Sequence, residues 1–332
     1  MDGRHILDLR VGTPWSAGAL ELLARSAGSA WADPSHAASE GRRAATWLEA
    51  ARATVSQLAG LPHVEFFSHR NAAVRAVIGK YPDLRVSAPA THRRPVLALA
   101  DQVIDVDADG AWLDWPDARL AIIQAANEET GRADAAPVAD VLVLDASNAF
   151  ARMPELAPAD HVIADAAMWG APGGIAFVAG RTPIDSGETP PLPLVALAVQ
   201  RLSEHWPTRH ARAQEELDAM RRFRNEVERR IPDVQFHSGA GAAHMTSFSV
   251  LHLDAETLMR ALDVEGYVVG SGSACVHDGT PSHVLAAMGR ITHGNVRLAL
   301  PVDFDLAVLD GFANTLVEVV DRLRREAGVD EL

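Results

Sequence analysis

A chain of 332 residues with 48% hydrophobic side chains can bury one large core or two smaller ones. Its formal charge of -14, with carboxylates scattered rather than gathered into a tail, repels phosphate backbones, so nucleic acid is not an expected partner. No apolar run approaches the roughly 18–20 residues of a membrane span, and the opening MDGRHILDLR has no basic start followed by an apolar stretch. A cytoplasmic protein with no membrane partner is therefore expected.

Strand-like apolar runs alternate with helical patterns along most of the chain, which predicts an α/β fold with a largely parallel sheet. In order, a helix is expected over residues 41–59, where Leu48, Ala51, Val55 and Leu58 share one face, and a strand over 64–68. A second helix follows at 71–79, then strands at 103–106, 121–125, 141–145, 161–164 and 174–179. The Pro- and Gly-containing stretch 181–193 separates these from a long helical pattern at 194–231, interrupted near Pro207. A strand at 247–253, a helix at 255–262, a strand at 267–270 and a closing helix at 305–326 complete the reading. Residues 12–195 are expected to form a large domain, and residues 1–11 with 196–332 a smaller α/β domain.

Two counts carry chemistry. Cys275 is the sole cysteine, which rules out an internal disulfide and a thiolate metal cluster, and no metal site is expected. Lys80 is the sole lysine, so chemistry that needs a lysine amine has one candidate.

The segment 268–289 reads VVGSGSACVHDGTPSHVLAAMG. A strand runs into small residues, Gly270 to Ala274, which leaves Cys275 on a loop. Pro281 and Ser282 then open a helix with Leu285 and Met288 on its apolar face. Taken alone, Cys275 suits either a small buried hydrophobe or a nucleophile. This segment closely resembles the active-site loop of the NifS/IscS-type cysteine desulfurases, a branch of the class V aminotransferases with the fold-type I architecture of pyridoxal phosphate enzymes.

The resemblance implies a large domain with a mostly parallel mixed sheet flanked by helices, and a smaller C-terminal α/β domain. It implies that Cys275 attacks the substrate sulfur and holds it as a persulfide. Arg297, in GNVRL, matches the arginine that clamps the substrate carboxylate, a role a guanidinium fork suits. Further pieces follow in the same order as in the family. Residues 6–9 (ILDL) are similar to YLDNAATT and residues 31–35 (WADPS) to GNPSS. Residues 126–131 (ANEETG) are similar to VNNETG, which brings Asn127 into the substrate site. His92 matches the imidazole that stacks on the pyridine ring. Asp145 matches the carboxylate that pairs with the ring nitrogen, and Asn148 stands where the family has glutamine.

The lysine motif SxHKxxGPxG departs from the pattern. Aligned on Pro172 and Gly174, its lysine falls at Met168, its histidine at Ala167 and its serine at Asp165. A thioether forms no imine. The phosphate-binding GAT turn falls at His69, Arg70 and Asn71. A carboxylate about 4 Å from a phosphate charge is opposed by roughly 4 kcal/mol at an effective dielectric near 20. Lys80 follows His69 by eleven residues on one predicted helix, about 16 Å along its axis and beyond a lysine's reach.

On this reading no cofactor is covalently bound. Residues 185–190 (DSGETP) resemble the family's RSGT turn with one residue inserted, which places Thr189 toward a partner's phosphate site in a homo- or heterodimer. The expected function is a pseudoenzyme subunit in sulfur transfer, carrying persulfide on Cys275 beside a competent class V subunit and passing it to a sulfur acceptor. Two alternatives stay open: a desulfurase or carbon–sulfur lyase that binds pyridoxal phosphate non-covalently, and a binding or scaffold protein on the same fold.

Overall fold

The computed structural model describes residues 3–12, 14–115, 118–171, 173–231, 233–237, 239, 241–272 and 281–329. Its elements, in chain order, begin with β1 (His5–Ile6), α1 (Ala17–Ser29), α2 (Ser39–Ala59), β2 (His63–Phe67), α3 (Arg70–Lys80), β3 (Val86–Pro89), α4 (Arg94–Leu97) and β4 (Gln102–Ile104). There follow β5 (Leu120–Gln124), β6 (Val141–Asp145), β7 (His161–Asp165), β8 (Ala176–Gly180), α5 (Leu192–His205) and α6 (Arg209–Arg230). The last are β9 (Val234–Phe236), β10 (Met245–Val250), α7 (Ala255–Val264), β11 (Tyr267–Val268), α8 (His283–Ala287), β12 (Asn295–Ala299) and α9 (Val308–Glu326).

The main sheet has seven strands in the order β2-β8-β7-β6-β5-β3-β4. Strands β4, β3, β5, β6 and β7 run parallel to one another, and β8 pairs antiparallel with both β7 and β2. A sheet of this kind needs cover on both faces, and the strand sequences supply it by alternation. Phe66, Ile123, Leu144 and Phe177 pack in one apolar cluster with Leu48 and Val55 of α2 and Val195 of α5. Their neighbours Phe67, Ile122, Val143 and Val178 pack in another, with Val74 and Val77 of α3. The expected α/β fold with its mostly parallel mixed sheet is what the chain adopts.

A three-stranded antiparallel sheet, β12-β10-β9, backs a third apolar cluster that includes Phe223 of α6, Leu258 of α7 and Phe312 and Leu316 of α9. Leu7 lies in this cluster, and β1 pairs in parallel with β11. The early residues 5–8 are thus built in among residues more than 200 positions further on.

Several elements were not legible in the sequence, among them α4 and β9, which are only three or four residues long. Strand β3 has four residues and ends in Pro89, too short and too punctuated for an alternating signal. Helix α1 carries two glycines, and its inner face, Ala19, Leu22, Leu23 and Ser26, is fully buried only at Ser26. Conversely, the predicted interruption at Pro207 is a short 3-10 turn, Trp206–Thr208, between α5 and α6.

The large sheet and α6 are joined by a buried ion pair. Arg152 donates from Nη2 to Glu216 Oε1 at 2.8 Å, with side-chain exposures of 1% and 0%. Nη1 of Arg152 also donates to the carbonyls of Leu300 (2.9 Å) and Met168 (3.3 Å), and Arg212 donates to the same Glu216 oxygen at 3.0 Å. Glu216→Ala strands Arg152 in the interior. It should cost about 3–5 kcal/mol of unfolding free energy in urea titration. Glu216→Leu combined with Arg152→Met should restore most of that loss.

Candidate functional site

Strands β3, β5, β6 and β7 end on the same edge of the sheet, where α/β proteins place their ligand crevices. The segments that leave them, 90–93, 125–131, 146–148 and 166–170, carry most of the residues singled out in the sequence.

Asp145, the last residue of β6, is buried. Burial alone would raise its pKa, but the Arg93 guanidinium, with Arg70 and His92 nearby, holds it well below the usual carboxylate range. Arg93 Nε donates to Asp145 Oδ2 at 2.9 Å, and the Ser147 amide donates to Oδ1 at 3.1 Å. The pair is 3% and 1% exposed. Arg93 also donates through Nη1 to Asn71 Oδ1, while its buried Nη2 has no hydrogen-bond partner. Arg93 therefore ties the β3 exit, the β6 end and the first turn of α3 together, and no pattern in the sequence marked it.

His92 is buried beside this pair. Its Nδ1 accepts from the Arg93 amide at 2.9 Å, and its Nε2 has no partner. Burial lowers its pKa to about 4 against the pull of Asp145, so the ring is neutral near pH 7. Asn148 donates from Nδ2 to the Ala126 carbonyl at 3.2 Å, and its buried Oδ1 is unpartnered. Asn127 is engaged both by its own turn and by the neighbouring segments. Its Oδ1 accepts from the amides of Glu129 and Thr130, each at 3.0 Å, and its Nδ2 donates to Thr91 O and Gln124 Oε1. Gly131 closes that turn with a φ of 70°, a conformation that side chains rarely adopt.

Asp165, at the end of β7, caps the 3-10 turn Ala166–Trp169 by accepting from the Ala167 amide at 3.1 Å. Met168 lies in that turn, buried. His69 is the N-cap of α3, its Nδ1 accepting from the Ala72 amide at 3.1 Å, with Arg70 and Asn71 as the first two helical residues. Lys80 is the last residue of the same helix and donates to the Pro183 carbonyl at 2.9 Å. Thr189 is exposed, and Glu188 before it accepts from the Ser68 hydroxyl at 2.8 Å, next to the α3 cap.

Arg297, on β12, meets a carboxylate from its own chain. It donates from Nη2 to Asp8 Oδ2 at 2.6 Å and from Nε at 3.2 Å, and both side chains are buried. Gly270 pairs with Arg297 through both backbone hydrogen bonds, at 2.7 and 3.0 Å, and a Cβ there would stand 1.5 Å from Asp8 Oδ2. Glycine at 270 is a steric requirement of the ion pair.

Cys275 lies outside the described residues. The residues that flank its segment converge on Glu129: Ser282 donates to Oε2 at 2.6 Å, and a Cβ on Gly272 would approach Oε1 to 2.1 Å. Glu129 is buried, its Oε1 has no partner, and burial raises its pKa. Its neighbour Glu128 accepts on one oxygen from Arg10 (2.8 Å) and Arg70 (3.4 Å). Burial opposes ionisation of Glu128, but the two guanidiniums bring its pKa down to about 2. Among the described residues no group of three or more His, Cys, Asp or Glu side chains is arranged to hold a metal, and no helix is long and apolar enough to cross a membrane.

The seven-stranded mixed sheet with its flanking helices, and the three-stranded antiparallel sheet beside it, form the fold seen in NifS-like proteins. The chain superposes on a solved NifS-like protein with a TM-score of 0.79 at 18% identity, over 96% of this chain and 99% of that one. A NifS-like protein from Rickettsia africae gives 0.80 at 17% identity over 96% and 99%, and a cysteine desulfurase from Escherichia coli 0.70 at 14% over 97% and 94%. These likenesses define the fold.

In sequence, the chain is similar to the cysteine desulfurase IscS of Dictyoglomus turgidum, 32% identical over 108 residues, which are 31% of this chain and 27% of the relative. The IscS of Clostridium botulinum is 33% identical over 98 residues, 25% of each chain. The matched stretch spans about a quarter of the length of these curated relatives. No family model matches the chain.

The Arg93–Asp145 pair is open to test. Arg93→Ala should cost about 3–5 kcal/mol of stability at neutral pH, and Asp145→Asn in that background should return most of it, as read by denaturant unfolding. The buried histidines add a pH dependence. Burial lowers His92, His161 and His237 from 6.5 to about 4, so acid protonates them in the unfolded chain first. Their stability contribution is complete above pH 6.5 and declines as pH falls toward 4. His92 alone should account for roughly 1.4 kcal/mol per pH unit within that window, a slope that His92→Gln removes.

Proposed function

We propose that this chain is a cysteine desulfurase-like protein that handles sulfur without a Schiff-base cofactor of its own, receiving it as persulfide on Cys275 from a competent class V aminotransferase-like subunit. The observation that carries the reading is the buried Arg93–Asp145 pair. Pyridoxal phosphate bound in the family manner asks for a carboxylate turned to its ring nitrogen and an amine for the imine. Asp145 is already engaged by Arg93, and the residue aligned with the lysine is Met168, while Lys80 sits at the far end of α3. Asp165 stands where the family has its serine, and a carboxylate there opposes a phosphate. On this reading the residues do not fit the group.

The chemistry left to the chain is thiol exchange. The Cys275 thiolate attacks the terminal sulfur of a persulfide on the partner. The partner's sulfur–sulfur bond breaks, a new one forms to Cys275, the proton stays on the transferred sulfur, and the partner's cysteine leaves as thiolate. No net oxidation is needed. Thr189, exposed on the segment linked through Glu188 to Ser68, suits a contact with a second subunit.

The test is incubation with cysteine and a lysine-bearing cysteine desulfurase, followed by mass spectrometry of the intact chain. Cys275 should gain one sulfur, Cys275→Ala should gain none, and the chain alone should release no sulfide from cysteine with pyridoxal phosphate added. Turnover by the chain alone, or no sulfur on Cys275 in the mixture, would sink the proposal.

A further inference from the structure

A cavity of about 320 Å³ opens at the opposite edge of the main sheet from the strand ends described above, within the about 300–1,000 Å³ usual for small-molecule sites. Leu61 precedes β2, Val162 is the second residue of β7 and Arg181 follows β8; the register sets His63, Gly180 and His161 side by side, so these ends meet. The connection from β6 to β7 forms one wall, and the end of α2 and the joint between α5 and α6 form the others. Leu58, Leu61, Met153, Leu156 and Trp206 pack against the core cluster there but stay half-buried, so the core shows an apolar face to the cavity. Phe150 is buried among them, its ring centroid 5.2 Å from that of Trp206. Pro154 and Pro158 restrict the backbone of the first wall, so its shape is set before anything binds.

One charge in this lining is unanswered. The Arg209 guanidinium lies 4.0 Å from the Trp206 ring centroid and donates from Nη1 to the Trp206 carbonyl at 2.8 Å, which holds it in one place. It has no carboxylate partner among the described residues, and burial lowers its pKa with no anion acting against that. The other lining cation, Arg181, is met by Asp160 at 3.4 Å. A fixed, half-buried cation beside two aromatic rings and an apolar wall calls for a ligand with an aromatic body and a negative charge. We propose that this cavity binds an aromatic monocarboxylate, its ring against Trp206, Phe150 and Leu156 and its carboxylate on Arg209. A neutral aromatic leaves the guanidinium unanswered, an aromatic amine is opposed by it, and a carboxylate without a ring leaves the apolar walls in water. The site goes beyond the sulfur-transfer reading and uses neither Cys275 nor the strand-end edge. It is measured on the isolated chain with no partner subunit, so either proposal can fail alone.

The experiment is isothermal titration calorimetry of the full chain with phenylacetate, indoleacetate, phenylethanol, phenethylamine, propionate and octanoate. Both aromatic acids should bind with one-to-one stoichiometry, and phenylethanol, phenethylamine and propionate at least about tenfold more weakly. Octanoate, which has the charge but no ring, should bind about threefold more weakly or worse. Arg209→Gln removes the cation and should weaken binding of the aromatic acids about tenfold. Leu156→Glu sets a carboxylate on the wall and should weaken it by at least as much. If Arg209→Gln does not fold, judged by circular dichroism, Leu156→Glu and the comparison among ligands decide. No heat with either aromatic acid, phenylethanol or phenethylamine bound as tightly as phenylacetate, octanoate bound as tightly as the aromatic acids, or either variant folded with unchanged affinity would each overturn the assignment.

Discussion

A carboxylate placed at the end of a central parallel strand, out of reach of water, must be given a cation or it will not stay ionised. Asp145 is that carboxylate, and the way it is satisfied governs the rest of the edge. Arg93 reaches it from the turn after β3 and in the same gesture holds Asn71 at the start of α3. The result is a polar knot at the strand ends among three elements, α3, β3 and β6, that also share one apolar cluster. Because the cation comes from the chain, Asp145 itself is satisfied by Arg93 and the Ser147 amide. His92 stays neutral beside it, since burial outweighs the attraction of Asp145.

The same solution recurs twice in the molecule. Arg152 and Glu216 link the large sheet to α6, and Arg297 and Asp8 link β12 to the segment after β1. Each pair is buried and each joins distant parts of the chain. Such pairs add little to net stability over apolar residues of the same volume, but they penalise any arrangement that separates the partners. They fix how the parts are matched rather than how tightly they hold.

The sequence made the architecture legible because long apolar runs at period two and amphipathic helices such as α2 report burial directly. It also brought together residues that the fold gathers at one edge, among them His92, Asp145, Asn148 and Asp165. What it could not convey was who satisfies whom. Arg93 lies 52 positions from Asp145, Asp8 lies 289 from Arg297, and Ser282 lies 153 from Glu129. No local periodicity encodes such pairings. Arg297, expected at a substrate carboxylate from its motif, meets Asp8, and Asn127 holds its own turn through Oδ1 and the Thr91 carbonyl through Nδ2. Glycine at 270 is explained in the same way, by a carboxylate contributed from the other end of the chain.

The placement of residues 5–8 has a bearing on how the protein is made. Leu7 belongs to a cluster otherwise supplied by residues 219–320, β1 needs β11 for its partner, and Asp8 needs Arg297. When these early residues leave the ribosome, none of their partners exists. They remain unpaired until those partners are made, while the large sheet, whose strands lie between residues 63 and 180, can already close around its own core. The return of this segment to partners made more than 200 residues later is therefore a late, long-range event in folding, with a cost in chain entropy.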